Sequence, residues 1–137
     1  MVNTRIIKNI IPILVSDDTH TNNGAELQFY GRVRSAENGK AIVAIDYEYY
    51  KGMAEKELQK LGENTMHKFY ISKLDCIHRV GKISNGEASL RVIIWSKHRK
   101  EALDAMAWFI SKMKKDVPIW KNVILKDGSR ISSTCSQ

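Results

Sequence analysis

The segment 111–122, Ser-Lys-Met-Lys-Lys-Asp-Val-Pro-Ile-Trp-Lys-Asn, places Lys112, Lys114, Lys115 and Lys121 around Val117, Pro118, Ile119 and Trp120. Lysines on a solvated face need no apolar wedge among them. A lysine held beside other cations and partly withdrawn from water can act as base, acid or nucleophile near neutral pH. Lys114 ends a helical pattern and Lys121 lies just past Pro118. A chain reversal at that proline would let the two amines converge. Spacing alone fits a solvated helix end as well.

Ser96-Lys97-His98-Arg99 stands where an apolar run gives way to helical periodicity. Backbone N–H groups at a helix N-terminus favour anions. His98 and Arg99 would add a titratable donor and a bidentate fork. Ser96 also suits an N-cap, which would make the stretch a plain capping segment. A cationic pair complements the dipole poorly at that end, which tilts the reading towards an anion site. Arg32 and Arg34 share one face of a strand before a turn, where simple surface charge also accounts for them. His78 and Arg79 point to opposite faces by alternation, so only one can meet a given site. His78 reads as a core or interface histidine.

Other chemistries find little support. Cys76 and Cys135 form no CxxC pair, and His20, His67, His78 and His98 are scattered. No metal or cofactor is expected. Cys76 lies in an apolar strand pattern, where a cysteine is usually packing. Ser111 to Lys114 fits S-x-x-K, but the companion motifs of that serine-enzyme class are missing. The net charge is +7, and 97–130 holds nine lysines and arginines against four acids. That concentration favours an anionic partner or substrate without naming it.

The elements that must carry these residues read as follows. A chain of 137 residues is expected to form one domain, 1–137. It has no apolar run of the roughly 18–20 residues a membrane span needs, and its N-terminus lacks a small-residue cleavage site, so cytoplasm is the expectation. Strands are predicted over 4–14, ending near Pro12, then over 25–35, 41–50, 71–81, 88–96 and 119–125. The second should turn Ala25, Leu27, Phe29 and Val33 inward. Asn38-Gly39 signals a hairpin within the turn 36–40. A polar loop is expected over 16–24, a turn over 84–87 and a polar tail over 126–137. Helical periods cover 52–69, with Ala54, Leu58, Leu61 and Thr65 on one face, and 98–115. The latter has Ala102, Met106, Phe109 and Met113 on its stripe, with Leu103 and Ile110 beside it. The order β-β-β-α-β-β-α-β gives an α+β fold: a mostly antiparallel sheet with two main helices.

Taken together, "GAELQFYGRVRS", "EYYKGM", "IHRVG", "SKHRKEALDA" and "VPIWK" resemble the large, catalytic subunit of molybdopterin synthase. The motifs follow that family's order over residues 24–121. The resemblance implies an alpha/beta-hammerhead type of fold. It also implies a sulfurtransferase that converts cyclic pyranopterin monophosphate into the dithiolene of molybdopterin. The sulfur would come from the C-terminal Gly-Gly thiocarboxylate of a small ubiquitin-like subunit. Two large subunits would form a homodimer at the centre of a heterotetramer. By motif, Lys114 and Lys121 resemble the catalytic lysines and Arg34 a further pocket cation. His98 and Arg99 resemble an anion-binding pair supplied across the dimer.

The chain departs from the pattern at Lys51, where the family has proline, at Asn122 and Val123 after "WK", and near Ile131, where a tryptophan is common. The stretch before Gly24 is also short for the N-terminal helix that the family often has. Two rival readings are a non-enzymatic basic module that binds RNA, and a paralogue that docks the small subunit without catalysis. The aromatics do not cluster as a base-stacking platform requires.

Overall fold

The computed structural model describes residues 1–15 and 22–134; the expected loop residues 16–21 and Cys135 lie outside them. The described elements are β1 (Val2–Ile7), β2 (Ala25–Arg32), β3 (Ala36–Glu37), β4 (Lys40–Tyr49), α1 (Met53–Lys68), β5 (Lys73–Arg79), β6 (Gly81–Ser84), β7 (Ala88–Ser96), α2 (Arg99–Asp116), β8 (Ile119–Leu125) and β9 (Arg130–Thr134). The class is α+β, as expected, but the strands form two sheets. One has the order β1-β5-β7-β2 and the other β3-β4-β8-β9, with β6 also on β4. The pairing is antiparallel throughout except for β1 beside β5.

The unbroken apolar run in β7 predicts a central strand, and every residue from Ala88 to Ser96 is buried. A strand buried on both sides needs a cover on each. On one side Leu74 and Cys76 meet Ile94 and Val92 across the ladder, and these residues join the main core. There α1 packs on β1 and β5, while α2 packs on β7 and β2.

Residues 8–15 cross the other side. The Arg91 guanidinium donates to the Pro12 carbonyl at 3.0 Å and pairs with Asp75 at 3.0 Å. The Leu14 N–H donates to the Tyr30 hydroxyl at 2.9 Å, and Ile11 packs with Ile77 and Ala88. The strand expected over 4–14 therefore stops at Ile7, because side chains of the sheet face hold the backbone that follows.

Asn38 and Gly39 both have positive φ, 52° and 76°, as a two-residue hairpin turn between β3 and β4 requires. The strand expected over 71–81 is in fact two. Gly81, at φ 88°, turns the chain from β5 into β6, which leaves the first sheet and pairs with β4. The polar tail contains β9, whose Ile131 sits opposite Val123.

Helix α1 buries the face its periodicity predicts, plus Gly62. α2 buries Ala102, Ala105, Met106, Phe109 and Met113, while Leu103 lies on its exposed side. The N-cap of α2 is His98 rather than Ser96, whose hydroxyl donates to the His98 carbonyl instead.

Gly62 is where α1 lies closest to β1: a Cβ there would stand 2.5 Å from Val2 Cγ1. Helix propensity alone favours alanine over glycine by about 1 kcal/mol. Gly62→Ala should nevertheless destabilise the chain, by roughly 1–3 kcal/mol of overpacking. In a Val2→Ala background the same change should become stabilising. Denaturant unfolding of the four proteins in the cycle checks the change of sign.

Candidate active site

A cleft of about 220 Å³ opens where the two sheets meet, at the C-terminal end of α2. Arg34, Lys114 and Lys121 all line it. Asp116, Val117 and Pro118 end the helix and return the chain as β8, which brings the two lysines to one cleft. Lys114 sits in the last turn of α2, where a cation suits the helix dipole. Lys121 is held by the β4–β8 ladder directly opposite Tyr47. Both lysines are half-buried, so their stems are packed while their amines can reach the cleft.

Arg34 is more exposed and pairs with Glu37 at 2.7 Å. Such a pair contributes little to stability, on the order of 0–1 kcal/mol. It does set a carboxylate against the guanidinium at the mouth of the cleft. Arg32 also lines the cleft, with its guanidinium 5.9 Å from the Tyr30 ring centre and donating to the Gly86 carbonyl.

His98 and Arg99 are not part of this cleft. They stand at the opposite end of α2 from Lys114, roughly 20 Å away along an axis that rises about 1.5 Å per residue. Within this chain the five candidate residues therefore divide into a cluster of three and a separate pair.

Three other lining residues, Phe29, Tyr47 and His78, are not among the site residues expected from the sequence, which reads Phe29 as inward-facing and His78 as a core or interface histidine. Phe29, expected inward, is 37% exposed and faces the cleft. His78 is 2% exposed, and its ring meets Tyr47 edge-on at 5.2 Å between centroids. Its Nδ1 lies 2.8 Å from the Arg79 carbonyl, which can only accept, so Nδ1 carries the hydrogen and Nε2 is left as an acceptor.

Burial pushes the His78 pKa down to about 4, and the nearby Lys114 charge lowers it too, against the contrary pull of the Arg79 carbonyl. The imidazole is neutral at physiological pH. Alternation does send His78 and Arg79 to opposite sides, as read. Arg79 instead pairs with Glu87 at 3.3 Å and donates to the Lys8 carbonyl.

Cys76 is fully buried, and its surroundings push its thiol pKa up, chiefly by burial and then by the neighbouring Asp75 charge. It has none of the exposure or thiolate character of a nucleophile. Among the described residues, no group of three or more His, Cys, Asp or Glu could hold a metal ion. No described helix is long and apolar enough to cross a membrane. What the cleft offers is fixed positive charge and N–H donors, suited to an anionic ligand.

A family model described as MoaE protein matches residues 7–116. The chain belongs to the MoaE family. The molybdopterin synthase catalytic subunit of Dictyostelium discoideum is 37% identical over 131 residues, covering 90% of this chain and 81% of that one. The crystal structure of molybdopterin synthase from Staphylococcus aureus aligns with a TM-score of 0.80 at 30% identity, covering 91% of this chain and 93% of that one. A complex of subunits 1 and 2 of molybdopterin-converting factor from Helicobacter pylori shares the fold, with a TM-score of 0.72 at 24% identity over 95% of this chain and 89% of that one. The MoaE match spans Arg34, His98, Arg99 and Lys114 and stops short of Lys121.

The state of His78 fixes one pH effect in this MoaE chain. Folding lowers its pKa from 6.5 to about 4, so between those values the unfolded chain binds a proton that the folded chain refuses. Its contribution is complete above pH 6.5 and is lost as pH falls towards 4, on the order of 3 kcal/mol in all. Guanidinium unfolding across this range should show the decline in wild type and a shallower one in His78→Gln.

Proposed function

We propose that this chain is the catalytic subunit of a molybdopterin synthase, a sulfurtransferase acting on cyclic pyranopterin monophosphate. The observation that carries the reading is the convergence on one cleft of Lys114 from α2, Lys121 from β8 and Arg34 from the connection between β2 and β3. The proposed substrate is a phosphorylated pterin. The sulfur donor is the C-terminal thiocarboxylate of a small ubiquitin-like subunit, whose Gly-Gly tail is thin enough to enter a narrow cleft. Both are anions, and positive groups fixed in advance bind such charge without reorganising during the reaction. Lys114 and Lys121 hold the thiocarboxylate and move protons during sulfur addition and opening of the cyclic phosphate. Arg34 adds charge at the mouth. Sulfur arrives on the partner, so a buried Cys76 is no obstacle.

His98 and Arg99 serve the neighbouring active site across a homodimer, which forms the centre of a heterotetramer with one small subunit at each end. Their distance from Lys114 within one protomer is what such an arrangement needs. The family membership, and the named function of the Dictyostelium and Staphylococcus relatives, support the assignment.

Reconstitution with a thiocarboxylated small subunit and cyclic pyranopterin monophosphate tests it. Wild type should form molybdopterin, and Lys114→Ala or Lys121→Ala should lose about a hundredfold or more, the scale of removing a preorganised charge-stabilising group. Tight binding of the small subunit without product would instead indicate a docking paralogue.

Sharing across the dimer has its own check. Lys114→Ala and a His98→Ala/Arg99→Ala double variant, each inactive alone, should recover part of the activity when mixed and allowed to exchange subunits. Recovery requires one mixed site that is intact in both respects. Absence of recovery in verified mixed dimers would place both groups of residues in one protomer's site.

A further inference from the structure

Two lysines in one small cleft raise a physical problem. Their ammonium groups repel, and each ends a long side chain that loses rotamer freedom when held in place. A carboxylate between them would hold both but would cancel the charge that draws an anion. Glu37 is the one carboxylate among the described lining residues, and it is committed to Arg34 at 2.7 Å. Beside the lysines stand two uncharged polar rings, His78 and Tyr47.

We propose that His78 and Tyr47 are a positioning pair, which holds the ammonium groups of Lys114 and Lys121 apart and aimed at a shared ligand without neutralising them. His78 spends its one ring N–H on the Arg79 carbonyl, 2.8 Å away, and keeps Nε2 as an acceptor. His78 and Lys114 line the same small cleft, from β5 and from the last turn of α2. Tyr47 stands directly across the β4–β8 ladder from Lys121, where side chains share a face about 5 Å apart. Its phenol oxygen can accept as well as donate.

The two rings brace each other edge-on at 5.2 Å, and both are at least nine-tenths buried, so neither can swing away. Each lysine thus has one neutral neighbour, and the two neighbours are locked together. The inference rests on the reading of Lys114 and Lys121 as the working lysines.

Two measurements test it. The first needs no activity: the His78 ring protons are followed by NMR through an acid titration in wild type and in Lys114→Met. Loss of the lysine charge should move the titration midpoint upwards. An unchanged midpoint would overturn the pairing of His78 with Lys114.

The second uses the reconstituted synthase with His78→Phe, His78→Gln and Tyr47→Phe. The phenylalanine variants should lower kcat by about tenfold to a hundredfold, the cost of a misplaced catalytic group, with little change in KM. His78→Gln, whose amide oxygen restores an acceptor near the place of Nε2, should recover most of the loss. Equal activity in wild type and a folded His78→Phe, or no recovery in His78→Gln, would reduce the pair to core packing. If His78→Phe does not fold, Tyr47→Phe, which removes a single oxygen, decides the kinetic arm. If wild type itself yields no product, the functional reading fails, and the NMR titration still decides whether His78 senses Lys114.

Discussion

The structure depends on one requirement: β5 and β7 are buried on both faces and must be covered on both. Apolar packing under the two helices supplies one cover. The other is a chain segment without regular structure, held by polar groups of the sheet. Arg91 is central to it, since it reaches both Asp75 and the Pro12 carbonyl from a position 4% exposed. Its remaining Nε has no partner, so this contact includes a desolvation cost as well as a gain. A buried ion pair is weak evidence of stability but does fix register. With the sheet closed on that side, α2 is seated over β7 and β2, and its last turn ends at the seam between the sheets. The site's position follows from that seating.

Local signals in the sequence were the reliable ones. Asn38-Gly39 announced its hairpin because only residues that tolerate positive φ fit there. The helical faces could be read from period 3.6, and Gly62 could be read as helical despite its propensity, though not as the point where α1 touches Val2. What escaped was non-local. Nothing near Gly81 says that the chain leaves one sheet for the other, because that choice depends on the position of β4. β9 hid in a polar stretch, because an edge strand needs few apolar residues. Leu103, expected beside the stripe of α2, is 52% exposed, because it lies just outside the face that the helix lays on the sheet.

The site followed the same division. The cations announced themselves by type and spacing, and the resemblance supplied their grouping. His78 and Tyr47 look like ordinary strand residues until β4 and β5 are known to border one cleft. The departures from the family pattern also acquire a location. Asn122, Val123 and Ile131 all lie in the β8–β9 ladder, one strand position and more beyond Lys121. Val123 faces Ile131, and Asn122 accepts a hydrogen bond from Ser132 at 2.7 Å. Val123 and Ile131 thus pair with each other, and these three changes lie in the β8–β9 ladder while Lys121 keeps its place opposite Tyr47.

The strand order also bears on how the molecule comes into being. β8 closes the second sheet by pairing with β4, so that Asp46 meets Asn122 across 76 intervening peptide links. Ladders of such long separation form late, after the entropy of closing a large loop has been met. Lys121 belongs to that late strand, whereas Arg34 and Lys114 are synthesised before it. A nascent chain that has emerged only as far as Pro118 has most of its cations and no finished cleft. The full set of cleft cations therefore comes together only as β8 docks on β4. Until then the chain holds Arg34 and Lys114 without the lysine that faces them across the cleft.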